Sequence, residues 1–421
     1  MAFNYEINQL ELMQARIKNV PHGWQFTYVG KVFSIRNNLR KPISEEERSM
    51  SPGNYPYYGP TKIQGYIGTY EQDGSYALIG EDGDHFLKFE KQSMTQLVDG
   101  KCTVNNHAHI IEGTQEATRE WFYYYFMHRD IFSFLSRQGA GRYKLNKASL
   151  EKMPLLLPPI AEQKKIAQIL STWDKAVAVT EKLLVNSQQQ KKALMQQLLT
   201  GKKRLLDDNG VRFSETWELY TFAKLFQRVT KKNNGKSTNV VTISGQHGLI
   251  KQEDFFKKTV ASDTLDGYFL LKKGQFAYNK SYSNGYPMGA IKRLNRYPEG
   301  VVTTLYICFE ISTPKESFGD YWEHYFESGL LNNSLSQIAH EGGRAHGLLN
   351  VKPSDFFSLK VPVPSFEEQQ KIAAVLSAAD AEMSMLEKKL ACLKEEKKAL
   401  MQQLLTGKRR VKVESEETVS A

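Results

Sequence analysis

The sequence predicts an α+β protein with a pseudo-twofold internal repeat, in which a long antiparallel two-helix coiled coil separates two α/β-mixed domains. Three observations predict this fold. The string KKALMQQLLTGK occurs twice, starting at Lys191 and at Lys397, which is an offset of 206 residues. A seven-residue apolar repeat precedes each copy. Outside the helices, short apolar runs alternate with Gly, Asn and Pro turns, which is typical of strands.

Composition limits the classes of protein that fit. A chain of 421 residues is too long for one ordinary hydrophobic core, so it predicts two or three domains. Its net charge of +10 favours an anionic partner, nucleic acid before a membrane. Three widely separated cysteines without a CxxC pair indicate neither a disulfide framework nor a zinc knuckle. The chain lacks a signal-peptide pattern and any run of roughly 18 apolar residues, so we expect a soluble, cytoplasmic protein without a membrane partner.

The first domain is predicted at residues 1–157. Its runs YALIG and HAHII indicate strands, and WFYYYF, from Trp121, indicates a helix whose rings pack in the core. A stacking platform for bases is the less favoured alternative for these aromatic residues. His107 and His109 point to one face of a strand, but no third metal ligand is apparent. We interpret both histidines as structural or polar contacts.

The first spacer helix is predicted at residues 158–205 and the second at 364–411. The helix repeat extends upstream without a gap, because PPIAEQKKIAQIL, from Pro158, matches PSFEEQQKIAAVL, from Pro364. Apolar residues then recur with a period of 3.5, which indicates a coiled-coil seam. The predicted seam residues are Ile166, Leu170, Trp173, Val177, Leu184, Leu194, Leu198, Ile372, Leu376, Met383, Leu386, Leu390, Leu393, Leu400 and Leu404.

Each helix has start and stop signals. Prolines precede each copy, and TGK ends each with a glycine and with basic residues beside the negative end of the helix dipole. Arg204 and its lysine neighbours are interpreted either as a solvated cap or as DNA contacts. An antiparallel pair is favoured, because a parallel pair about 58 Å long would force the second domain, residues 206–363, to return the chain along the whole helix. Residues 412–421 are predicted to form a flexible acidic tail.

The second domain repeats the first loosely. PHGWQFTYVGKVF, from Pro21, corresponds to SETWELYTFAKLF, from Ser214, and GAGRYKLNKASLEKMPLLLP, from Gly139, corresponds to EGGRAHGLLNVKPSDFFSLKVPVP, from Glu341. The stretches between these motifs differ strongly, as expected of two domains of one fold that read different targets. With both EQ-x-KIA helix starts and both LLTGK ends, the layout resembles the specificity subunits of type I restriction-modification enzymes over nearly the whole chain.

The resemblance implies a function and partners. In that family each variable domain, called a target recognition domain, reads one half of a split double-stranded DNA sequence, and the helices dock two methyltransferase subunits. Whether a motor-nuclease (restriction) subunit joins is left open. No cofactor is implied in this chain: S-adenosylmethionine is expected on the methyltransferase, and ATP and Mg on a motor-nuclease partner. Methylase, phosphate-loop and nucleophile-elbow motifs are missing, so we expect no catalysis by this chain alone.

Residues that contact DNA are predicted from chemistry, because the resemblance does not supply them. Lys and Arg neutralise phosphates, Asn and Gln pair with adenine edges, and the stretches RVTKKNNGKS and NKSYSNGYPMGAIKR contain no acid. Each candidate alone fits solvated surface better, but as a set on turns between strands they favour groove contact. The second domain provides Arg228, Lys231, Lys232, Lys236, Gln246, His247, Lys280, Tyr282, Asn284, Lys292, Arg293, Arg344 and His346. The first domain provides Arg36, Arg40, Lys41, Tyr57, Lys62, Arg142 and Lys144.

Two other functions are left open by the sequence. The chain could be a coiled-coil scaffold whose domains bind proteins and whose basic charge is incidental. DNA affinity that falls steeply with ionic strength would exclude this alternative. The chain could also be an enzyme with an unfamiliar site, which would require turnover by the purified protein.

Lengthening both helices should lengthen the spacer of the recognised DNA motif. Reading two half-sites from one side of DNA favours centres about one helical turn, roughly 34 Å, apart. Insertion of seven residues after Thr180 and after Leu386 keeps the heptad phase and extends the pair by about 10 Å, near three base pairs. Selections from DNA libraries with randomised spacers should yield a longer spacer between unchanged half-sites. A lengthened protein that binds well at the original spacing would contradict this role of the helices.

Overall fold

The structure, a computed structural model, divides into two compact units. Unit 1 comprises Met1–Thr180 and Lys389–Ala421, and unit 2 comprises Glu181–Lys388. Each unit therefore combines one mixed α/β domain with part of both long helices. The residues that the structure describes are 19–137, 141–256, 264–339 and 349–413.

The domain of unit 1 is built on a six-stranded sheet. The strands of the whole domain, six of which form this sheet, are β1 (Gln25–Tyr28), β2 (Ser34–Ile35), β3 (Pro52–Tyr58), β4 (Ile63–Ile67), β5 (Gln72–Gly80), β6 (Thr95–Val104), β7 (Ala108–Glu112), β8 (Ser136–Arg137), β9 (Tyr143–Lys144) and β10 (Pro154–Leu157). The sheet order is β2-β7-β5-β6-β3-β4, in which only the β3 and β6 neighbours are parallel. Antiparallel pairs join β1 to β10 and β8 to β9. The runs YALIG and HAHII lie in β5 and β7, so these strand predictions are confirmed.

One helix of unit 1, Arg119–Phe126, packs on the central strands β5 and β6 of this sheet, and the chain then leads into the first long helix. The helices of this unit are α1 (Val29–Val32), α2 (Glu45–Met50), α3 (Arg119–Phe126), α4 (Lys147–Glu151) and α5 (Ile160–Leu198), which is the first long helix. In α3 the Thr118 side chain caps the helix by accepting from the Trp121 backbone N–H at 3.1 Å. Trp121, Phe122 and Phe126 are fully buried. The prediction that WFYYYF is a core helix is therefore confirmed.

The domain of unit 2 has the same class of architecture with shorter strands. Its strands are β11 (Glu218–Thr221), β12 (Phe226–Arg228), β13 (Val241–Ser244), β14 (Gly248–Lys251), β15 (Phe269–Lys272), β16 (Phe276–Asn279), β17 (Ala290–Arg293), β18 (Glu299–Val302), β19 (Ile307–Ile311) and β20 (Lys360–Val363). An antiparallel sheet has the order β12-β19-β16-β17, and pairs join β11 to β20, β13 to β14 and β15 to β18. QFAYN forms β16 as predicted, whereas VVTTLYICFEI is divided between β18 and β19, which pair with different strands.

The helices of unit 2 pack on this sheet and lead into the second long helix. They are α6 (Phe222–Leu225), α7 (Gln252–Phe256), α8 (Gly319–Glu327), α9 (Asn332–Ile338), α10 (Pro353–Ser358) and α11 (Phe366–Leu404), which is the second long helix. Trp322 and Tyr321 of α8 are fully buried, like Trp121 of α3 in unit 1. Along the described residues, no helix is long and apolar enough to cross a bilayer.

The predicted seam residues lie on the less exposed face of both long helices. All of them are buried or half-buried, from fully buried Ile166 and Ile372 at the helix starts to Leu198 and Leu404 at the helix ends. Midway along the helices, apolar residues off the seam are exposed, as Leu183 is at 48%, whereas near the helix ends further residues such as Leu199 are buried against the domains. The 3.5-residue period of the apolar residues therefore identifies the packed face of each helix.

The long helices run antiparallel within each unit. In unit 1, Asp174 of α5 pairs with Lys397 of α11, and Glu162, earlier in α5, pairs with Arg410, later in the chain. Residues later in α5 therefore pair with residues earlier in the second helix segment, which is the relation of an antiparallel pair. Unit 2 shows the same relation in the pairs of Lys191 with Asp380 and Arg204 with Glu368.

A buried glutamate at the start of each long helix organises the end of the other. In unit 2, Glu368 is 1% exposed and accepts two hydrogen bonds from Arg204, at 2.6 and 2.7 Å, and one from Trp217 Nε1, at 2.9 Å. Gly201, with φ of +69°, turns the chain so that Arg204 reaches this carboxylate. Both alternatives predicted for Arg204 are wrong, because its guanidinium is neither a solvated cap nor free for DNA.

Unit 1 repeats this arrangement with other residues of the repeat. Glu162 is 3% exposed and accepts from Arg410 at 2.8 Å through two nitrogens, and from Trp24 Nε1 at 3.0 Å. Arg410 also donates to the His22 carbonyl at 2.7 Å. Gly407, with φ of +68°, has no room for a side chain, because a Cβ there would lie 2.4 Å from Pro21. We call the two arrangements the Glu162 clamp and the Glu368 clamp.

The glutamine after each glutamate attaches the helix start to its own domain. Gln163 accepts from the Thr118 backbone N–H at 2.8 Å and donates to the Glu116 and Pro158 carbonyls, both at 2.8 Å. Gln369 makes the equivalent three bonds in unit 2. The repeated EQ pair thus satisfies backbone groups that would otherwise be buried without partners. Of the predicted tail at residues 412–421, only 412 and 413 are among the described residues.

Replacement of Arg204 by alanine should destabilise unit 2. The change leaves the buried Glu368 charge without its bidentate partner, which we expect to cost about 2–4 kcal/mol in the free energy of unfolding. Lys203→Ala, one residue earlier on an exposed side chain, is the matched control and should change stability by less than about 0.5 kcal/mol. Denaturant titration measures both values, and Glu368→Gln should recover part of the loss in Arg204→Ala. Equal effects of the two alanine variants would contradict the clamp.

Candidate nucleic-acid interface

Lys280 and Arg228 form a pair of uncompensated cations in unit 2. Lys280 directly follows β16, and its Nζ lies 3.4 Å from the Val351 carbonyl. Neither cation forms an ion pair among the described residues. The pKa of Lys280 lies below its usual value, because burial penalises the ammonium group and Arg228 repels it. A bound phosphate would relieve this repulsion, so the pair is suited to an anion.

Lys292 lies in a buried triad that joins two loops of unit 2. Its ammonium group pairs with Glu327 and donates to the Tyr286 hydroxyl at 2.9 Å and the Gly245 carbonyl at 2.8 Å. All three donors of the lysine are therefore occupied, and the residue is 8% exposed. The prediction that Lys292 contacts DNA is wrong. Its position instead fixes Gly245 relative to Tyr286.

The two loops that this triad joins present predicted DNA contacts. One loop follows Gly245, between β13 and β14, and the other is closed by the bridge between Ser283 and Tyr286. Gly245 has no room for a side chain, because a Cβ there would lie 2.7 Å from the Tyr286 ring. The exposed candidates on these loops are Gln246, His247, Tyr282 and Asn284.

Three predicted lysines lie on the segment that follows β12. Lys231, Lys232 and Lys236 are exposed. Lys232 donates to the Gly267 carbonyl at 2.7 Å and lies 4.6 Å from the centroid of the Phe269 ring. These lysines stay predictions. Arg344 and His346 lie outside the described residues.

Arg293 is not brought together with the other candidates of unit 2. In the β16–β17 hairpin it pairs with Phe276, at the end away from the loop that bears Tyr282. Its guanidinium contacts Asp320 and lies 3.7 Å from Glu323, both on α8. The acids that neutralise Arg293 come from another element, which the acid-free stretch around it does not reveal. Arg293 therefore attaches α8 to the sheet, and its predicted role as a base contact is corrected.

In unit 1 most predicted cations are paired with carboxylates. Arg40 and Lys144 both contact Glu81, the latter at 3.1 Å. Burial opposes ionisation of Glu81, but the hydrogen bonds from Arg40 and Lys144 outweigh it, so the pKa of Glu81 lies below its usual value. Both cations are ion-paired in the free protein, although the one carboxylate balances only one of their two charges. Two further pairs are Lys41 with Glu71 and Arg36 with Glu112.

Tyr57 is removed from the candidates by its burial. The residue is 2% exposed, and its hydroxyl accepts from the Ile43 backbone N–H at 2.9 Å and donates toward the Lys41 carbonyl at 3.3 Å. A ring in this position cannot stack on a base, so the prediction for Tyr57 is wrong. Lys62 and Arg142 are exposed and stay predictions.

The two histidines make polar contacts, as interpreted from the sequence. His109 is 1% exposed and lies 2.7 Å from the Leu145 carbonyl and 2.8 Å from Asn37 Nδ2. Burial lowers its pKa, which favours the neutral ring. His107 contacts Asp82 at 2.7 Å. Within the described ranges, no group of three or more His, Cys, Asp or Glu residues could hold a metal ion.

The residues that organise the candidate surface were missed by sequence reasoning. Tyr286 and Glu327 hold the loops of unit 2, and Glu81 holds the cations of unit 1. Tyr286 lies inside the acid-free stretch NKSYSNGYPMGAIKR, but a tyrosine in a turn has no distinctive signal. Glu327 lies 35 residues beyond Lys292, and no spacing rule links such positions.

Comparison with known proteins decides the family. The sequence model described as the type I restriction modification DNA specificity domain matches residues 21–186 and 303–395, which together exceed half of the chain. The chain belongs to this family. The segments matched by this specificity family contain both buried glutamates and the starts of both long helices, and the resemblance stated from the sequence is confirmed.

Individual members of the specificity family are similar over different lengths. A type I restriction enzyme specificity subunit of Haemophilus influenzae is 37% identical over 152 residues, which are 36% of this chain and only 37% of that protein. The MjaX and MjaVIII specificity subunits of Methanocaldococcus jannaschii are each 23% identical, over 95% and 98% of this chain and 96% and 98% of their own lengths. A crystal structure of the S subunit of a type I restriction-modification system from M. genitalium covers 92% of this chain and 97% of its own, at 14% identity and a TM-score of 0.58. This last likeness supports the fold.

Lys280→Met and Lys292→Met should have opposite effects. Loss of Lys280 removes a repulsive, partly buried charge, so stability should be unchanged or higher, while DNA affinity falls and the slope of log K against log salt decreases by about 1. Loss of Lys292 leaves Glu327 unpaired and should lower the free energy of unfolding by about 2–4 kcal/mol. Lys273→Met, on an exposed lysine beside β15, is the control for both measurements. Destabilisation by Lys280→Met would contradict its assignment as an uncompensated cation.

Proposed function

We propose that the chain reads a bipartite double-stranded DNA sequence, one half with each unit. The observation that supports this most directly is the contrast between repeated and unrepeated parts. The Glu162 and Glu368 clamps use equivalent residues in both units. The loops that bear candidate DNA contacts do not, because Lys280 forms no ion pair among the described residues of unit 2, while Arg40 and Lys144 of unit 1 share the Glu81 carboxylate. Two units with equivalent clamps but different loop residues suit two different half-sites.

The proposed partners are two adenine methyltransferase subunits, one for each repeat of the helix start and end. Duplicated surfaces favour two copies of the same partner, since each copy can make the same contacts. A motor-nuclease subunit is a further possible member of the complex, to be identified by purification. Because the proposed substrate is cellular DNA, we place the complex in the cytoplasm.

The chain itself is proposed to be non-catalytic. Two titratable groups with shifted pKa values, Tyr286 and Glu81, are engaged in holding loops and cations. S-adenosylmethionine is proposed to bind the methyltransferase, and ATP and Mg a motor-nuclease partner if one is present. Specificity and chemistry would then lie on separate chains.

A scaffold that binds only proteins is the second candidate function. The exposed side chains Val179, Leu183 and Met385 on the long helices favour it, because apolar groups on a helix surface suit a protein partner. They also suit the proposed methyltransferases. Sequence-specific DNA binding whose affinity falls steeply with salt concentration would favour the DNA-reading function over the scaffold.

Exchange of one domain should change one half of the methylated motif. Residues 206–360 are replaced by the corresponding segment of a relative with a different specificity, and modified adenines are sequenced in cells that also contain the methyltransferase. We expect a new second half-site and an unchanged first half-site, because each clamp lies within its own unit. A change in both half-sites would contradict independent reading.

The purified chain should neither methylate nor cleave DNA. Methyl transfer from S-adenosylmethionine to DNA should be detected only after the methyltransferase is added, because no catalytic motif is present in the sequence. Radiolabelled methyl incorporation measures this difference. If the rate of methyl incorporation per mole of this chain stays constant through successive purification steps, the proposal is contradicted.

A further inference from the structure

Unit 1 contains a polar cleft beside the buried Tyr57 and the turn that bears His107. It has a volume of about 460 Å³ and is lined by Ser44, Glu45, Arg48, Gln64, Asn105 and Asn106, among other residues. Its walls come from α2, β4 and the turn between β6 and β7. We call it the Arg48 cleft. Arg48 lies in the acidic run SEEERSM, so the sequence there does not indicate a cation available for a ligand.

Arg48 is held in a fixed position without being neutralised. Its guanidinium lies 4.8 Å from the centroid of the Tyr57 ring, and one of its nitrogens donates to the Ile43 carbonyl at 2.6 Å. Arg48 forms no ion pair within the described part of the chain. An arginine has five N–H donors, so several are left for a ligand. The burial of Tyr57, which removes it as a DNA contact, thereby provides the support for Arg48.

The amides of the cleft are also fixed in orientation. Asn105 Nδ2 donates to Gln64 Oε1 at 3.0 Å, and Asn105 Oδ1 accepts from the His107 backbone N–H at 2.8 Å. The Gln64 amide packs against Gly59, where a Cβ would lie 2.4 Å from Gln64 Cδ and would displace this side chain. The bond from Asn105 leaves the Gln64 NH₂ group available at the cleft. Amides fixed in this way bind a planar ligand edge at low entropic cost.

The cleft adjoins the group of cations around Glu81. Asn106 is exposed, and its carbonyl accepts from Arg40 at 3.0 Å, while the Glu81 backbone N–H donates to the His107 carbonyl at 2.8 Å. The turn at residues 105–107 therefore belongs both to the cleft and to the predicted DNA surface. A duplex whose phosphates contact Arg40 would have a base edge within reach of this turn.

The chemistry of the cleft suits a base edge better than a phosphate. Glu45 lines it, and a carboxylate repels phosphate but accepts a hydrogen bond from the cytosine amino group. The combination of one free arginine, one carboxylate and two amides offers donors and acceptors side by side. Arginine binds guanine O6 and N7 through two parallel N–H groups, the commonest base-specific contact in the major groove.

We propose that Arg48 reads a guanine, in a G·C pair of the half-site recognised by unit 1, and that the Gln64–Asn105 pair positions the neighbouring base edge. This inference rests on the proposed function of the chain as a DNA reader. Arg48 is thus a specificity-determining residue, and the Arg48 cleft is the base-reading part of the surface whose phosphate contacts include Arg40.

The test uses the full chain together with its methyltransferase. The motif is first established from modified adenines, and binding is then measured on duplexes in which each base pair of both half-sites is replaced in turn. Arg48→Ala should reduce discrimination at one G·C pair of one half-site by roughly tenfold to a hundredfold, and leave the other half-site unchanged. Arg48→Gln should shift the preference at that pair toward adenine, since glutamine pairs with adenine N6 and N7.

Arg129→Ala is the matched control. Arg129 also lies over a tyrosine ring of unit 1, 4.4 Å from the Tyr125 centroid, and also donates to a backbone carbonyl, at 3.2 Å, but it lies outside the cleft. Its replacement should leave the base preference unchanged. If Arg48→Ala proves too unstable to purify, the Arg48→Gln variant and the methylation pattern in cells provide the same comparison.

The possible outcomes separate this inference from the proposed function. A half-site without a G·C pair, equal weakening on all sequences, or an unaltered base preference in the Arg48 variants would overturn the inference alone. A wild-type complex that shows no sequence preference in binding or methylation would overturn the proposed function as well.

Discussion

The structure depends on the compensation of a buried glutamate in each unit. A carboxylate that is almost fully buried is costly unless it is paired and hydrogen-bonded, and Glu368 obtains three hydrogen bonds from two distant residues. This requirement explains why the repeat continues past each helix end. The glycine turn and the arginine beyond it are as much part of the packing as the seam. The helices can associate only in the antiparallel sense that brings each arginine to the glutamate of the other helix.

The attachment of the helix starts leaves the loop residues of the two domains free to differ. Gln163 and Gln369 attach the helix starts to backbone groups rather than to side chains, so the domains can change their loop residues without loss of these contacts. The loops of unit 2 are held by a separate triad around Lys292, and the cations of unit 1 by Glu81. The charged residues that hold the helix ends are therefore different from those that hold the loops with candidate DNA contacts. Such a division suits a protein whose target sequence changes while its assembly stays the same.

Much of the fold could be predicted from the sequence, because the relevant signals are local or repeated. The heptad period marks residues such as Ile166 and Leu404 directly, and the matched ends of the two copies favour an antiparallel pair. The bidentate pairing of Arg204 could not be predicted in this way. Its partner Glu368 lies 164 residues away, and a basic residue after a helix looks the same whether it is solvated or buried.

The candidate site was predicted less well, for a related reason. Lys292 and Arg293 lie in a stretch without acids, yet helix α8 supplies Glu327 to one and Asp320 to the other. Charge along the sequence does not reveal charge in space. Tyr57 was proposed for its aromatic ring, whereas its burial makes it a support for Arg48. Lys280 and Arg228 form no ion pair in the part of the chain that the structure describes, so they stay predictions.

The contact between Arg410 and the His22 carbonyl has a mechanical consequence. It joins positions 388 residues apart, and Arg410 also pairs with Glu162 in the same unit. A tension applied between residues 19 and 413 would therefore load this one contact before any strand or helix in the long stretch of chain between them. Under such a tension, rupture would begin at the Glu162 clamp, within unit 1.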